Sequence, residues 1–310
     1  MINIEWKYWI PSLLMIIISV FFQGIINKTR AITSGRKGPG LLQSLKDVTK
    51  LFKKGAVFST SSSYISQIAP SIYFASVLAA MMVIPFAGYP ALLSFKGDFI
   101  FFAYILGIGK LFLILGALDA GSPFQGMGAN REALFSTLVE PAFFVLWGSF
   151  AMLTGQSSFI DIYSSLHYGS DVSYLLGGMA AYILGQIAMV ENSRLPVDDP
   201  RTHLELTMTH EVMILDVSGF DLGLIFSATA LKFALYGTLI TNFFVNPNWH
   251  WSLSLIIFFV CQIVFAVSVG IAESFRARAR MKRNPQLILS LTSISILIFF
   301  GALIVMNKFL

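Results

Sequence analysis

The segment ENSRLPVDDPRTHLELTMTHEVMILDVSGFD, residues 191–221, divides the chain into two strongly apolar parts. It holds seven of the 16 carboxylates and two of the four histidines of a 310-residue sequence. Long apolar runs lie on both sides of it, so one membrane span is expected to end where it begins and another to start where it ends. We interpret it as an acidic, proton-handling loop at a membrane surface.

The composition is that of a membrane protein. Hydrophobic residues make up 56% and charged residues 12% of the chain, against about 25% charged in soluble domains. The one cysteine, Cys261, lies inside an apolar run, so the sequence offers no thiol cluster for a disulfide framework, zinc or iron–sulfur ligation. Trp6, Trp9 and the lack of an Ala-x-Ala exit predict that the first span is retained.

Eight apolar runs are long enough to cross about 30 Å of hydrocarbon at about 1.5 Å per helical residue. They are residues 9–26, 67–89, 99–118, 134–154, 173–190, 222–245, 251–272 and 286–306. The sequence has no internal repeat and no low-complexity tract. It therefore predicts an all-α, polytopic membrane protein with about eight transmembrane helices in a single integral membrane domain, residues 1–310.

The positive charges predict the orientation, because loops retained in the cytoplasm collect lysine and arginine. Of the 21 basic residues, sixteen follow spans 1, 3, 5 and 7, and two lie within spans. Both termini are therefore expected outside and the four odd-numbered loops inside. The net charge of +5 mostly reflects this bias, and no basic soluble face is left for nucleic acid.

The first basic loop contains a short amphipathic helix by its pattern. Apolar residues step by four, three and four between Leu41 and Phe52, and four lysines share the segment up to Lys54. A helix lying in the membrane interface and held by anionic headgroups is one interpretation. A docking surface for a soluble partner is the other, with Arg36, Lys37, Gly38 and Pro39 as its residues. The turn Gly38-Pro39-Gly40 would fix how the helix leaves the first span.

The second basic loop, residues 119–132, has glycines at 126 and 128. A nucleotide-binding interpretation is rejected because no strand precedes them and no Gly-Lys-Ser/Thr follows. Arg131 is the single basic residue of this loop.

Three charged residues fall inside predicted spans: Lys110, Glu140 and Lys232. A charge at bilayer depth costs at least about 2.5 to 3.5 kcal/mol, so each needs a partner, water or a function. Glu140 is expected about 9 Å into span 4, and Pro141 after it can open the helical turn to water. Either Glu140 merely pairs with a lysine, or these groups form part of a polar row that carries protons.

Within residues 191–221, the adjacent carboxylates Asp198 and Asp199 stand between prolines and near Arg194. Such a pair raises at least one carboxyl pKa, which favours an ion-paired, titratable turn. From residue 202 the apolar residues recur at helical spacing. The pattern predicts a helix that ends near Gly219, where glycine suits a left-handed cap.

The histidines do not form a metal or haem site by their spacing. The residue four after His210 is Ile214, so the metalloprotease pair is missing. His203 and His210 are about 10.5 Å apart along a helix, too far to share one ion. No predicted span carries a histidine, which excludes a bis-histidine haem of the cytochrome b type.

These motifs resemble the complex I subunit 1 family, the membrane subunit next to the hydrophilic arm of complex I and its counterparts in membrane-bound [NiFe] hydrogenases. The resemblance runs nearly end to end. It rests on Glu191-Asn192-x-Arg194-x-Pro196-x-Asp198, His203-x-Glu205-Leu206, His210-Glu211, Asp216-x-Ser218-Gly219, Glu140, and Gly38-Pro39 ahead of Leu42-Gln43.

Two features look more like the formate hydrogenlyase and hydrogenase-4 branch of this family. They are the sequence of residues 202–211 and the Glu273-Ser274 pair followed by arginines. Complex I members usually have Pro-Phe-Asp where this chain has Val197, and Glu-Tyr where it has Asp216-Val217. These departures put the quinone-binding role of the complex I branch in doubt.

The resemblance implies a subunit that anchors the redox arm and couples electron transfer to proton or ion movement. It implies an acidic relay of Glu140, Glu191, Asp198, Asp199, Glu205, Glu211 and Asp216, with Arg131 and Arg194 as counter-charges. Lys110 and Lys232 join the relay through the burial argument alone.

The same resemblance places a Ni-Fe centre and iron–sulfur clusters in partner subunits and none in this chain. The expected partners are hydrogenase-type small and large subunits, antiporter-like membrane subunits and the lipid bilayer of a prokaryotic plasma membrane. Two alternatives stay open. One is the quinone-site subunit of complex I, and the other is a stand-alone secondary transporter, for which matching discontinuous spans would be expected.

Overall fold

A computed structural model describes residues 6–59, 62–166, 171–199, 208–278 and 281–306. Within these ranges the chain is helical, with two short 3-10 segments at Trp6–Trp9 and Met281–Arg283. The α-helices are α1 Ile10–Thr33, α2 Gln43–Phe52, α3 Tyr64–Met81, α4 Asp98–Asp119, α5 Pro123–Thr154, α6 Phe159–Leu166, α7 Asp171–Glu191, α8 His210–Met213, α9 Gly219–Thr241, α10 Trp251–Phe275 and α11 Asn284–Val305.

The all-α, polytopic prediction is confirmed. Seven helices (α1, α3, α4, α5, α9, α10 and α11) are long and apolar enough to cross a membrane, and α7 contributes a shorter apolar stretch, Leu175–Glu191. These eight coincide with the eight predicted spans. Helix α2 lies within the predicted amphipathic segment 41–54.

Helix α9 occupies the centre of the bundle and packs against α1, α2, α3, α7 and α10. Every residue from Leu231 to Thr241 is buried. A helix enclosed on all sides is apolar all round, as this one is apart from Asp221 in its first turn, Lys232 and a few hydroxyls. Lys232 is consequently held inside the protein, where its charge must be matched.

The outer helices pair around α9, with α3 on α4, α5 on α11 and α1 on α10 as the largest contacts. Glycines on α4 allow the close approach to α3. A Cβ on Gly109 would collide with the Ser76 side chain, and one on Gly116 would come within 2.8 Å of the Ala69 Cβ. This packing carries Lys110, the neighbour of Gly109, into the interior.

Two predicted spans have different ends in the structure. Helix α5 begins at Pro123, not at 134, because proline fits the first turn and the two glycines of the predicted loop are helical. The prediction of a loop over residues 119–132 is therefore mostly wrong. Helix α3 ends at Met81, not at 89, and the Asn242 side chain holds the following turn through Pro85 O and Ala87 N.

The helix predicted from residue 202 to Gly219 is not found over the part described. Only His210–Met213 is helical between 208 and 218, and residues 201–207 lie outside the described ranges. Gly219 does adopt a left-handed conformation (φ 56°), but it starts α9. Its missing Cβ admits the backbone of Gly55, which docks the end of the first basic loop against α9.

Candidate functional site

Two lysines and two glutamates from four helices meet inside the bundle. Lys110 Nζ of α4 lies 2.9 Å from Glu132 Oε1 of α5 and 3.0 Å from Glu191 Oε2 at the end of α7. Lys232 Nζ of α9 lies 3.0 Å from the same Glu191 oxygen. We call Lys110, Glu132, Glu191 and Lys232 the lysine cluster.

The lysine cluster is almost completely withdrawn from solvent. Lys232 is 0%, Glu132 3% and Lys110 6% exposed. Removing an ion from water costs several kcal/mol, and only well-placed opposite charges offset that cost. Two cations and two anions within hydrogen-bonding distance make the cluster electrically neutral when all four groups are ionised.

Lys232 has further partners that fix its position. Its ammonium donates to the Glu191 carbonyl at 3.2 Å and to the Tyr73 hydroxyl at 3.5 Å, and lies 5.4 Å from the Tyr73 ring centroid. Tyr73 therefore ties α3 to the cluster. No sequence pattern marks this tyrosine, because aromatic residues are common in apolar spans.

Glu140 is not among the partners of either lysine. It lies 17 residues after Pro123, about 25 Å along α5 from the first residue of that helix. Its side chain is exposed on the outer surface and forms no ion pair within 4 Å with a described residue.

A cavity of about 320 Å³ connects Glu140 with the cluster. Lys110, Glu191 and Tyr236 line it together with Glu140, and it opens sideways between α4 and α5. Ser136 also lines it, and the buried Ser136 Oγ has no hydrogen-bond partner among the described residues. Buried polar atoms of this kind are satisfied by water when the space allows it.

A second group of charges lies where α1, α10 and the 192–199 loop meet. Glu273 is shared by two arginines, with Arg194 Nη1 at 3.1 Å from Oε1 and Arg30 Nη1 at 3.4 Å from Oε2. Arg30 also lies 3.6 Å from Asp199 Oδ1, and Arg278 Nη2 lies 2.9 Å from Asp198 Oδ1. We call Arg30, Arg194, Arg278, Asp198, Asp199 and Glu273 the arginine cluster.

Asp198 fixes the fold of the loop. Its Oδ2 accepts hydrogen bonds from the backbone N–H groups of Thr209 and His210, both at 3.0 Å, and Oδ1 accepts from the Asp199 N–H at 2.9 Å. Burial raises the pKa of Asp198, while these donors and Arg278 oppose the rise. The carboxylate thus joins residues 194–199 to the start of α8.

Ser193 and His210 lie between the two clusters, with side chains near the lysine cluster and backbone joined to the arginine cluster. Ser193, in a left-handed conformation (φ 50°), donates its hydroxyl to Glu132 Oε2 at 3.4 Å and immediately precedes Arg194. Burial lowers the pKa of His210 to about 4. The negative charge of Glu132 opposes this shift, and the positive charges of Lys110 and Lys232 add to it. The His210 ring is therefore neutral near pH 7.

The other predicted residues are dispersed. Glu211 is half-buried on α8, Asp216 is exposed, and Glu205 lies outside the described residues. Arg131 donates to the Met208 carbonyl at 2.9 Å, so it anchors the loop backbone. The predicted docking residues Arg36, Lys37 and Pro39 are exposed and Gly38 is half-buried.

Glu132 is the main residue that the sequence interpretation missed. Placing the start of span 4 at residue 134 left Glu132 in a loop. The sequence does contain a pattern that could have identified it. Ser122-Pro123 is typical of a helix start, and a helix that begins there includes Glu132. Glu273, which the sequence interpretation used only in the Glu273-Ser274 resemblance, contacts two arginines in the structure.

The arrangement suits proton exchange better than ligand coordination. Over the residues with described positions, no group of three or more His, Cys, Asp or Glu side chains is placed to hold a metal ion. The carboxylates of the lysine cluster face ammonium groups at hydrogen-bonding distance. These distances of 2.9 to 3.0 Å lie within the reach of about 2.6–3.2 Å that a proton transfer between two groups requires.

The family model described as NADH dehydrogenase matches residues 7–305. Hydrogenase-4 component C of Escherichia coli (strain K12) is 29% identical over 276 residues, covering 87% of this chain and 86% of that protein. Formate hydrogenlyase subunit 4 of the same strain is 25% identical over 290 residues, covering 90% and 92%. A subunit of the NADH-quinone oxidoreductase of Rubrobacter xylanophilus is 27% identical over 280 residues, covering 79% and 81%.

A solved structure shares the fold. A chain of the membrane-bound sulfane sulfur reductase, an archaeal respiratory membrane complex, superposes with a TM-score of 0.80 at 22% identity. The match covers 95% of this chain and 99% of that one. At this identity it establishes the architecture only.

Proposed function

Because the chain belongs to the NADH dehydrogenase family of membrane subunits, we propose that it is a membrane-anchoring, proton-coupling subunit of a [NiFe] hydrogenase or formate hydrogenlyase-type complex. It acts as a single membrane domain over residues 1–310. The similarity to hydrogenase-4 component C and formate hydrogenlyase subunit 4 supports the coarser part of this role, a membrane subunit of a complex I-like assembly.

The observation that carries the proton-coupling role is Lys110 held between two carboxylates from different helices. A proton that reaches Glu132 neutralises it and leaves the cluster with an excess positive charge. Unit charges 4 Å apart interact by about 4 kcal/mol at an effective dielectric constant of about 20. That excess favours release of a proton on the other side, from Lys110 or Lys232 by way of Glu191.

The lateral cavity supplies the route away from the cluster. It runs from Lys110 and Glu191 to Glu140, and the unpartnered Ser136 hydroxyl in its wall supports occupation by water. In this proposal Glu140 passes protons to a neighbouring, antiporter-like membrane subunit. An exposed carboxylate within a membrane-spanning helix requires such a polar neighbour or water.

The redox chemistry belongs to partner subunits in this proposal. A Ni-Fe centre and iron–sulfur clusters lie in the small and large subunits, which dock on the face that carries the basic loops, including Arg36, Lys37, Gly38 and Pro39. This face is cytoplasmic and both termini lie outside a prokaryotic plasma membrane. The basic-residue bias supports that orientation.

The alternative is the quinone-site subunit of a complex I-type enzyme, which the similarity to the NADH-quinone oxidoreductase subunit of Rubrobacter xylanophilus favours. A cavity near Val57, Ser218 and Asp221 opens on the basic-loop face, but its volume is about 40 Å³. Pockets for drug-sized ligands are about 300–1,000 Å³. Quinone-reductase activity of the intact complex, with an isoprenoid tail bound at this chain, would favour the alternative.

The test uses the intact complex in proteoliposomes, with electron transfer and internal pH recorded together. Lys110→Met leaves Glu132 and Glu191 without their shared cation, and we expect proton movement per electron to fall about 100-fold or more. Glu140→Gln should also lower it, with assembly intact. Lys96→Met, an exposed lysine on the opposite face, is the matched control. Wild-type coupling in Lys110→Met would contradict the proposal.

A further inference from the structure

A third cavity lies between α7 and α11 at the basic-loop face, beside the loop of the arginine cluster and apart from the lysine cluster. Its volume is about 580 Å³, within the range of ligand-binding pockets. The walls come from α7, α11, the segment after α10 and Pro196 of the loop. It has no part in the proton route described above.

Two arginines stand at the mouth of this cavity without a carboxylate partner among the described residues. Arg276 and Arg283 both line it and both are exposed. No described Asp or Glu lies within 4 Å of either guanidinium, whereas Arg278, two residues from Arg276, is paired with Asp198. The mouth therefore carries two unmatched positive charges, which select an anion.

Below the charged mouth, the lining mixes polar side chains with apolar and aromatic ones. Gln186 is five residues and Tyr182 nine residues before the end of α7, about 7.5 and 13.5 Å below it. On α11, Ser290 and Leu291 lie about 10 to 12 Å beyond Arg283. A charged mouth above a partly apolar wall matches a molecule with an anionic head and an apolar tail.

We propose that this cavity binds one anionic phospholipid, with its phosphate between Arg276 and Arg283 and an acyl chain along Tyr182 and Leu291. Charge complementarity favours an anionic over a zwitterionic lipid, and the apolar depth favours a lipid over free phosphate. The site requires only that the basic-loop face meets the headgroup layer. It is independent of the proton-coupling proposal.

The bound lipid also braces the loop that holds the arginine cluster. Pro196 contributes to the cavity wall, and Asp198 follows two residues later with its ion pair to Arg278. A lipid that fills the cavity packs against Pro196 on one side and fixes Arg276 on the other. We therefore expect it to raise the melting temperature of the assembled complex.

The experiment titrates the delipidated intact complex in a neutral detergent with phosphatidylglycerol, and separately with phosphatidylcholine, using native mass spectrometry and thermal melting. We expect one tightly retained phosphatidylglycerol and a higher melting temperature with that lipid only. Arg276→Gln/Arg283→Gln should weaken its binding about 30-fold, since each arginine near a membrane surface contributes about fivefold. Lys53→Gln/Lys54→Gln removes the same charge from an exposed site and should leave binding unchanged.

Ser290→Trp fills the apolar depth while keeping both arginines, and should also abolish retention of the lipid. If inorganic phosphate raised the melting temperature equally in the wild type and in Ser290→Trp, the cavity would be a site for a free anion and not for a lipid. That result would overturn the proposal. So would equal binding of the two lipids. Loss of a partner subunit from the double arginine variant, with lipid binding unchanged, would assign the mouth to a protein partner instead.

Discussion

The two charge clusters share one geometry and differ in one chemical group. In each, one glutamate is shared by two cations: Glu191 by Lys110 and Lys232, and Glu273 by Arg30 and Arg194. A lysine ammonium can release a proton when it is desolvated. An arginine guanidinium keeps its charge at any pH that a protein tolerates.

Because of this difference, we expect different roles for the two clusters. The lysine cluster can change its protonation state, so it is suited to pass protons. The arginine cluster holds constant cationic charge and planar donors, which suits it to fix the loop between α7 and α8 against α1 and α10. We therefore expect the three ion pairs of the lysine cluster to support transfer and the four ion pairs of the arginine cluster to give rigidity.

The largest expected effect is on stability, in the arginine cluster. Arg194→Met leaves Glu273, which is 3% exposed, with only the more distant Arg30. Breaking a buried pair from one side costs about 3–5 kcal/mol, so the purified complex should melt at a lower temperature or lose this subunit. Removing both partners with Glu273→Leu/Arg194→Met should restore part of the stability. A single variant that melts like the wild type would contradict the structural role.

The second prediction replaces a lysine of the lysine cluster by the arginine that is typical of the other cluster. Lys110→Arg keeps a positive charge beside Glu132 and Glu191 but removes a group that can release a proton. We expect near-normal assembly and electron transfer, with proton movement reduced about 100-fold. The matched change, Arg194→Lys, should lower the melting temperature without this loss of coupling. Equal proton movement in Lys110→Arg and the wild type would contradict the claim that the lysine cluster works by releasing protons from lysine.

The third prediction concerns His210, which lies between the clusters. Its pKa is lowered from 6.5 to about 4, so the unfolded chain binds more protons than the folded one between those pH values. Stability due to the neutral ring is present above pH 6.5 and is lost as the pH falls toward 4, by about 1–3 kcal/mol. His210→Gln should flatten this dependence of the melting temperature.

A control separates His210 from its neighbour Asp198. Burial raises the Asp198 pKa, so its contribution runs the other way and is lost as the pH rises from about 3.8. Subtracting the His210→Gln profile from the wild-type profile removes the Asp198 contribution, because that carboxyl is present in both. If the difference in melting temperature between the wild type and His210→Gln stayed constant between about pH 4 and 6.5, the lowered pKa of His210 would be excluded.

The sequence was sufficient for the fold because membrane spans depend on composition over about 20 residues. The eight apolar runs found eight helices, including α7, and Lys110 and Lys232 were identified as buried charges that need partners. The ends of α3 and α5 were misjudged because capping and turn contacts are local or tertiary. Asn242, for example, closes the turn after α3 from 155 residues away.

The site was only partly predictable because partners come from distant helices. Sequence proximity suggested that Asp198 and Asp199 pair with Arg194, but Arg194 pairs with Glu273, 79 residues away. One of the two interpretations of Glu140 paired it with a lysine, but Glu132, two turns earlier on the same helix, takes the place beside Lys110. Identifying which acid faces Lys110 requires the relative rotation of α4 and α5, which packing decides.

The smallest expected effect comes from Asp199, which the sequence interpretation placed in the proton relay. Its Oδ1 lies 3.6 Å from Arg30 Nη1, both side chains are partly exposed (19% and 17%), and Arg30 keeps Glu273 as a second partner. A pair of this kind contributes about 0–1 kcal/mol, so Asp199→Asn should hardly change the melting temperature. Because the charge that it faces is an arginine, we also expect proton movement per electron to stay at the wild-type level in proteoliposomes. A large loss of coupling in Asp199→Asn with unchanged stability would place the proton path in the arginine cluster. The division between a transferring lysine cluster and a fixed arginine cluster would then have to be abandoned.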